Sequence, residues 1–290
     1  MHQDAPTFRF PFSRVSVSGG TGTVAAQFLD VLDRQCPDVD TLVTSCRFPQ
    51  SDRARRIPVS DAIRTIPGNV IEFRVLRELV DGGDIMFHLA AWLANTAMPG
   101  GLDEVCIINC LSTAVLAELC HRADKPLVFT SSHSVYFAGD YAGVIAEDTF
   151  SFRDDFTDWI AAAAGAYSAY AVDIVEGRAS MADAPQRIAA IHADLPPPTD
   201  PLIYDRLEYH AYCLTKLFAE RLVLDKGGAV LRLSNVYGPG DASMQAVGEA
   251  CHRVMQASPG QRLEIRQPFK KLVPAYMGDI VKSLIAAAVT

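Results

Sequence analysis

Basic residues are in deficit, tryptophan is scarce, and no hydrophobic run is long. Lys and Arg number 26 against 34 Asp and Glu, and the formal net charge is −8. Nucleic-acid and anionic-membrane surfaces need a basic field, so this balance argues against both partners. No apolar stretch approaches the length of a membrane helix. The start, "MHQDAPTFRFPFSR", contains no apolar core of signal-peptide length. None of the seven cysteines (Cys36, Cys46, Cys106, Cys110, Cys120, Cys213 and Cys251) stands in a C-x-x-C pair. An odd number without such pairs argues for reduced thiols and against a disulfide framework or a zinc site. The expectation is a soluble, cytoplasmic protein that binds no metal, nucleic acid or membrane.

What is present is a chain of 290 residues, 49% hydrophobic, in which short apolar runs alternate with helical periods. "RVSVSG" (14–19) reads as a buried strand, and "TVAAQFLDVLDRQ" after it as a helix. Further strands are expected at 40–46, 69–73, 84–90, 126–132 and 229–235. Ile108, Leu111, Val115 and Leu119 recur at helical spacing between the fourth and fifth. Such alternation predicts a parallel α/β sheet covered on both faces, with 47–68 left as a loop. The interval 137–208 is long for a strand–helix connection. Within it Phe156, Trp159, Ala163, Tyr167, Tyr170 and Ile174 form a helical stripe. That stripe suits a helix packed on the sheet's flank, an active-site lid, or the interface of a homodimer.

"SGGTGTVAA" (18–26) follows the first strand and opens the first helix. Gly20, Gly22 and Ala25 fit G-x-G-x-x-G/A, in which the first glycine makes the tight turn and the second admits a pyrophosphate. A phosphate there meets unpaired amides and the positive end of the helix dipole. The end of the second strand carries Ser45, Cys46 and Arg47 where an NAD site usually shows Asp or Glu. An arginine suits a 2′-phosphate, which favours NADP over NAD. The other reading of Arg47 is a solvated loop arginine. Tyr212 and Lys216, four apart in "YHAYCLTKLFAE", share a helix face, a spacing that by itself decides nothing.

Taken in order, "SGGTGTVA", "DIMFHLAAW", "VFTSSHSVY", "YCLTK", "LRLSNVYGPGD" and "VPAYMGDIVKSLIAA" resemble the motifs of the extended short-chain dehydrogenase/reductases, the group of nucleotide-sugar epimerases and related reductases. The resemblance runs from residue 14 to about 288. It implies a Rossmann-type doubly wound sheet over 1–136 and 209–235, a partly helical insertion over 137–208, and a small C-terminal substrate-binding region over 236–290. It implies Ser132, Tyr212 and Lys216 as the catalytic set. Tyr212 is then the general acid/base, its phenol brought down by Lys216 and an oxidised nicotinamide. Cofactor contacts are implied from Gly19, Gly20, Thr21, Gly22, Thr23 and Val24, from Ser45 and Arg47, from Asn69 and Val70, and from Leu89, Ala90 and Ala91. Asn109, Lys216 and Asn235 complete that set. Substrate contacts are implied from Trp92, His133, Ser134 and Asn235, with Arg266 and Lys270 as candidate partners of a diphosphate. His210 and Cys213 read as packing residues.

Two departures bear on function. His133 and Ser134 stand where family dehydratases carry an acidic pair, which argues against sugar dehydration. The long interval from Tyr136 to Tyr212 leaves the substrate open. A reductase that exchanges NADP(H), an epimerase that retains NAD through a closed redox cycle, and a dinucleotide-sensing protein without catalysis all remain as readings. The Tyr–Lys pair argues against the last.

Overall fold

A computed structural model of the chain describes residues 8–92, 105–138, 154–195, 207–238, 255–256, 258 and 274–289. Six parallel strands form the central sheet: β1 (Arg14–Ser18), β2 (Thr41–Cys46), β3 (Ile63–Pro67), β4 (Ile85–His88), β5 (Leu127–Ser132) and β6 (Ala229–Leu233). Their order is β3-β2-β1-β4-β5-β6. The order reverses between β1 and β4, and the crevice beyond the carboxyl ends of such a pair is where this architecture admits ligands. A short parallel pair, β7 (Asn235–Tyr237) and β8 (Pro274–Tyr276), lies apart from that sheet.

Both faces of the sheet are covered, so β1, β2, β4 and β5 are buried along nearly their whole length. One face packs Val15, Val17, Leu42, Ile85, Phe87 and Val128 against α1 (Thr23–Gln35) and α7 (Met277–Ala287). Phe28 of α1 meets Phe87 edge-on, with ring centroids 4.7 Å apart. The other face packs Val43, Met86, Leu127 and Phe129 against α2 (Phe73–Gly82), α3 (Ser112–Arg122), α4 (Asp154–Val175), α5 (Ala184–Asp194) and α6 (Leu207–Leu224). A π-turn over Ile107–Leu111 precedes α3.

One expectation is corrected. The third strand is Ile63–Pro67 rather than 69–73. It is an edge strand that pairs only with β2 and fully buries only Ile66, so it shows no apolar run. Residues 69–72 form the turn into α2: the Asn69 amide donates to Glu72 Oε1 at 2.7 Å, and the Glu72 amide to the Asn69 carbonyl at 2.9 Å. Of the readings of the aromatic stripe, a helix packed on the sheet's flank is the one its described residues, 159–174, match. It lies inside α4, where Trp159, Tyr167, Tyr170 and Ile174 are buried against the sheet-covering helices. Trp159 packs edge-on to Phe218 of α6 at 5.2 Å, and the Tyr167 hydroxyl sits 2.9 Å from His192 Nε2 of α5. The side chains of Phe156 and His210 lie outside those described, as do Cys251, Arg266 and Lys270.

Because α4 is core, Tyr167→Ala is expected to lower unfolding stability by about 3–5 kcal/mol in chemical denaturation. A lid residue would leave the denaturation midpoint unmoved.

Candidate active site

The site forms where β1, β2, β4 and β5 end and α6 begins, on one side of the sheet. The tight turn after β1 belongs to Gly19 and not to Gly20, as the motif had suggested. Gly19 has φ +75°, and a Cβ there would lie 2.9 Å from the Ala90 Cα. Gly20 answers a different constraint, since its Cβ would stand 2.3 Å from Thr44 Oγ1. Gly22 is the N-cap of α1 and supplies no side chain to the first-turn amides. The turn is held by Ser45, whose Oγ accepts from the Gly19 amide at 3.1 Å and whose carbonyl accepts from the Gly20 amide at 3.2 Å. A cradle that side chains would fill, opening on an uncapped helix N-terminus, fits a dinucleotide pyrophosphate. Thr21, Thr23 and Val24 are half-buried on the same turn.

The second strand ends without a carboxylate. Ser45 is committed to the glycine turn, Cys46 is buried, and Arg47 is exposed. The Arg47 guanidinium lies 4.8 Å from the Phe48 ring centroid and 5.6 Å from that of Trp92. Trp92, which the resemblance makes a substrate contact, is thereby placed on the β2 side of the crevice. Leu89, Ala90 and Ala91 run along the crevice between His88 and Trp92, with Ala91 exposed. Val70 is buried and Asn69 half-buried in the turn after β3.

Ser132 ends β5, and the two turns beyond it determine the direction of its hydroxyl. The Ser134 amide and hydroxyl both donate to Ser132 Oγ, at 3.2 and 2.8 Å. With both lone pairs occupied, the Ser132 proton points to Tyr212, with which Ser132 is hydrogen-bonded. Cys213 is in hydrogen-bond contact with Ser134, so it packs against the serine pair rather than away from it. His133 Nδ1 lies 3.3 Å from the Leu233 carbonyl. Asn235 is half-buried on β7.

Lys216, one turn after Tyr212 on α6, is almost fully buried. Its Nζ donates to the Thr130 carbonyl at 2.7 Å, over the Phe129 face at 4.4 Å and 5.8 Å from the Tyr212 ring centroid. Burial pushes this ammonium down to about 7, against the pull of Cys110 and Glu220. Burial likewise pushes the Tyr212 phenol up to about 12, with Cys213 adding to it and the Ser132 hydrogen bond opposing. The expectation that Lys216 lowers Tyr212 is therefore not met by the protein's own groups. Desolvation of both outweighs their attraction, and the ammonium is aimed at a carbonyl rather than at the phenol.

Several residues here carry no sequence signal that had singled them out. Arg232 of β6 forks onto Glu220 of α6 at 3.0 and 2.9 Å and donates to the Tyr136 hydroxyl at 2.8 Å. This buried pair ties β6, α6 and the segment after Ser132 together. Asn109, expected to touch cofactor, is buried with its amide engaged by Trp92 and Thr215.

Lys216 gives a pH signature. Its folded pKa lies below its ordinary value of 10.5. The folding penalty is thus absent above that value, grows as pH falls, and is complete below about 7. Lys216→Met is expected to raise Tm relative to the native protein by more at pH about 6 than at pH about 9.5. An equal difference at both pH values would place the ammonium in water.

Residues 17–263 match the family model described as Male sterility protein, an NAD-binding family. No curated protein matches the chain. Solved structures of the same fold include MoeE5 in complex with UDP-glucuronic acid and NAD, at 22% identity and TM-score 0.60, covering 96% of this chain and 72% of that one. The UDP-glucuronic acid 4-epimerase of Bacillus cereus in complex with NAD aligns at 16% identity and TM-score 0.61, over 98% of this chain and 74% of that one. WbmH of Bordetella bronchiseptica in complex with NAD+ aligns at 13% identity and TM-score 0.61, over 97% and 73%. With the glycine cradle, the six-stranded order and a family match over most of its length, the chain belongs to the Male sterility protein family of the extended short-chain dehydrogenase/reductases, a group of NAD(P)-dependent enzymes.

Proposed function

We propose that this protein is an NAD(P)-dependent oxidoreductase that acts at a carbinol or carbonyl carbon, with Tyr212 moving the proton. The observation that carries the reading is the convergence of Ser132, Tyr212 and Lys216 beside the glycine cradle. Gly19 and Gly20 let the turn close against Ala90 and Thr44, and the first turn of α1, uncapped at Gly22, offers its amides to the pyrophosphate. Arg47 and Trp92 line the adenosine end. A bound nicotinamide accepts or supplies the hydride. Ser132, held by the Ser134 amide and hydroxyl with its proton on Tyr212, would turn that proton to the oxygen of a bound substrate. Tyr212 stands protonated beside it at neutral pH, ready to donate to a developing alkoxide. Lys216 lies one turn further along the same helix, its ammonium held by the Thr130 carbonyl.

Support for the substrate class comes from the fold neighbours, among them MoeE5 holding UDP-glucuronic acid with NAD. A nucleotide sugar or a similar polar carbonyl compound is the class proposed. A second reading, an NADPH-dependent reductase of a non-sugar carbonyl, is favoured by Arg47 and by the lack of a carboxylate at the end of β2. The protonated state of Tyr212 suits the same direction.

Mass identification of any nucleotide released on denaturing the purified protein separates these readings. Retained NAD means a closed redox cycle and epimerisation. Empty protein that binds NADPH more tightly than NADH means net reduction with exchanging cofactor. Tyr212→Phe is expected to lower turnover by about 10²- to 10⁴-fold with cofactor affinity nearly unchanged. An active phenylalanine variant removes Tyr212 from the chemistry. Arg47→Ala is expected to weaken NADPH binding about tenfold and NADH binding little; equal losses would discard the 2′-phosphate contact.

A further inference from the structure

The wall of the crevice over Leu89–Trp92 is held at both ends by the buried side chains of Ser18 and Asn109. At one end Ser18 Oγ accepts from the Leu89 and Ala90 amides, both at 3.0 Å. At the other, Asn109 accepts from the Trp92 amide at 2.7 Å and donates to the Trp92 carbonyl at 3.1 Å. Between them stands His88, fully buried, with Nδ1 2.7 Å from Ser18 Oγ and Nε2 2.9 Å from Thr113 Oγ1.

The direction of every bond in this chain follows from counting lone pairs. Ser18 Oγ already accepts two amide protons, so its own proton must go to His88 Nδ1. Nδ1 is then bare, and the ring proton sits on Nε2, donating to Thr113 Oγ1. Thr113 Oγ1 donates to the main-chain carbonyl of Asn109, one turn earlier, at 2.6 Å. The side-chain Nδ2 of the same Asn109 donates to Thr215 Oγ1 at 3.0 Å, and Thr215 donates to the Tyr212 main-chain carbonyl at 3.0 Å. A second proton on His88 would face Ser18 with three donors for two lone pairs. Burial and the nearby Lys216 ammonium push in the same direction and hold this imidazole down to about 3.

We infer that His88 is a positioning residue: as a neutral imidazole protonated on Nε2, it links the glycine-loop wall of the cofactor crevice to the Tyr212 helix. The functional half of this inference rests on the oxidoreductase reading above. Through Ser18 His88 sets the wall that faces cofactor, and through Thr113, Asn109 and Thr215 it sets the backbone that carries Tyr212. The Gly19–Ala90 approach leaves that wall no slack.

The test uses two variants that each keep half of the chain. In His88→Asn the amide oxygen stands where Nδ1 accepts from Ser18, and the bond to Thr113 is lost. In His88→Gln the amide nitrogen stands where Nε2 donates to Thr113, and the bond from Ser18 is lost. The first readout is the imidazole tautomer by ¹H–¹⁵N NMR, expected as protonated Nε2 and bare Nδ1 without titration between pH 8 and pH about 4.5. The second is NADPH affinity, expected to fall about tenfold in His88→Gln and to hold in His88→Asn. The third is the ring-carbon resonance of Tyr212, assigned by its loss in Tyr212→Phe. It is expected to shift in His88→Asn and to stay near native in His88→Gln. A protonated Nδ1, an ordinary histidine titration, or equal effects of both variants on both readouts would overturn the inference. If the native protein binds no dinucleotide, the oxidoreductase reading fails by itself, and the tautomer and Tyr212 signals still decide the relay.

Discussion

The constraint on which the site depends is the backbone contact between the glycine turn and the end of β4. At Gly19 a side chain would meet Ala90 at 2.9 Å, so the two strands can close only because the residue is glycine with φ +75°. That closeness lets one hydroxyl, Ser18, satisfy the two amides that follow β4, those of Leu89 and Ala90. It also brings the uncapped start of α1 to the edge of the crevice at the switch point of the sheet. A looser approach would leave those amides buried without partners, a cost of about 1–3 kcal/mol each.

A second constraint opposes stability. Lys216 places an ammonium in a buried setting that prefers it neutral, with one carbonyl and an aromatic face for company. Buried charge of this kind is destabilising unless paired, and Glu220, the nearest carboxylate on the same helix, is already forked by Arg232. The surrounding helices supply the compensation. Trp159, Tyr167 and Phe218 bring α4 and α6 together in an aromatic cluster that holds the lysine's helix against the sheet. The described part of the insertion thus packs against the helix that carries Tyr212 and Lys216.

How much of this was legible from sequence depended on whether a residue's signal was local. Strands β1, β2, β4 and β5 announce themselves because burial on both faces demands continuous apolar runs. The edge strand β3 does not, since "IRTIP" fully buries one side chain, and the neighbouring apolar "NVIEF" attracted the assignment instead. Ser132, Tyr212 and Lys216 stood out through spacing within motifs. Their protonation did not, because it is decided by desolvation from helices far away in the chain.

The sequence by itself determined the alternation of strands and helices, the glycine turn, the absence of a carboxylate after β2 and the Tyr–Lys spacing, since each is written within a few consecutive residues. Only the tertiary structure decided that Gly19 rather than Gly20 makes the turn, that the aromatic stripe of α4 lies inside the core, and that the proton of Ser132 faces Tyr212. It alone brought Ser18, His88, Thr113, Asn109 and Thr215, residues up to 197 positions apart, together through directed hydrogen bonds that enter Asn109 at its main-chain carbonyl and leave from its side chain. Hydrogen-bond direction depends on which donors compete for each lone pair, and those competitors meet only when the chain is folded.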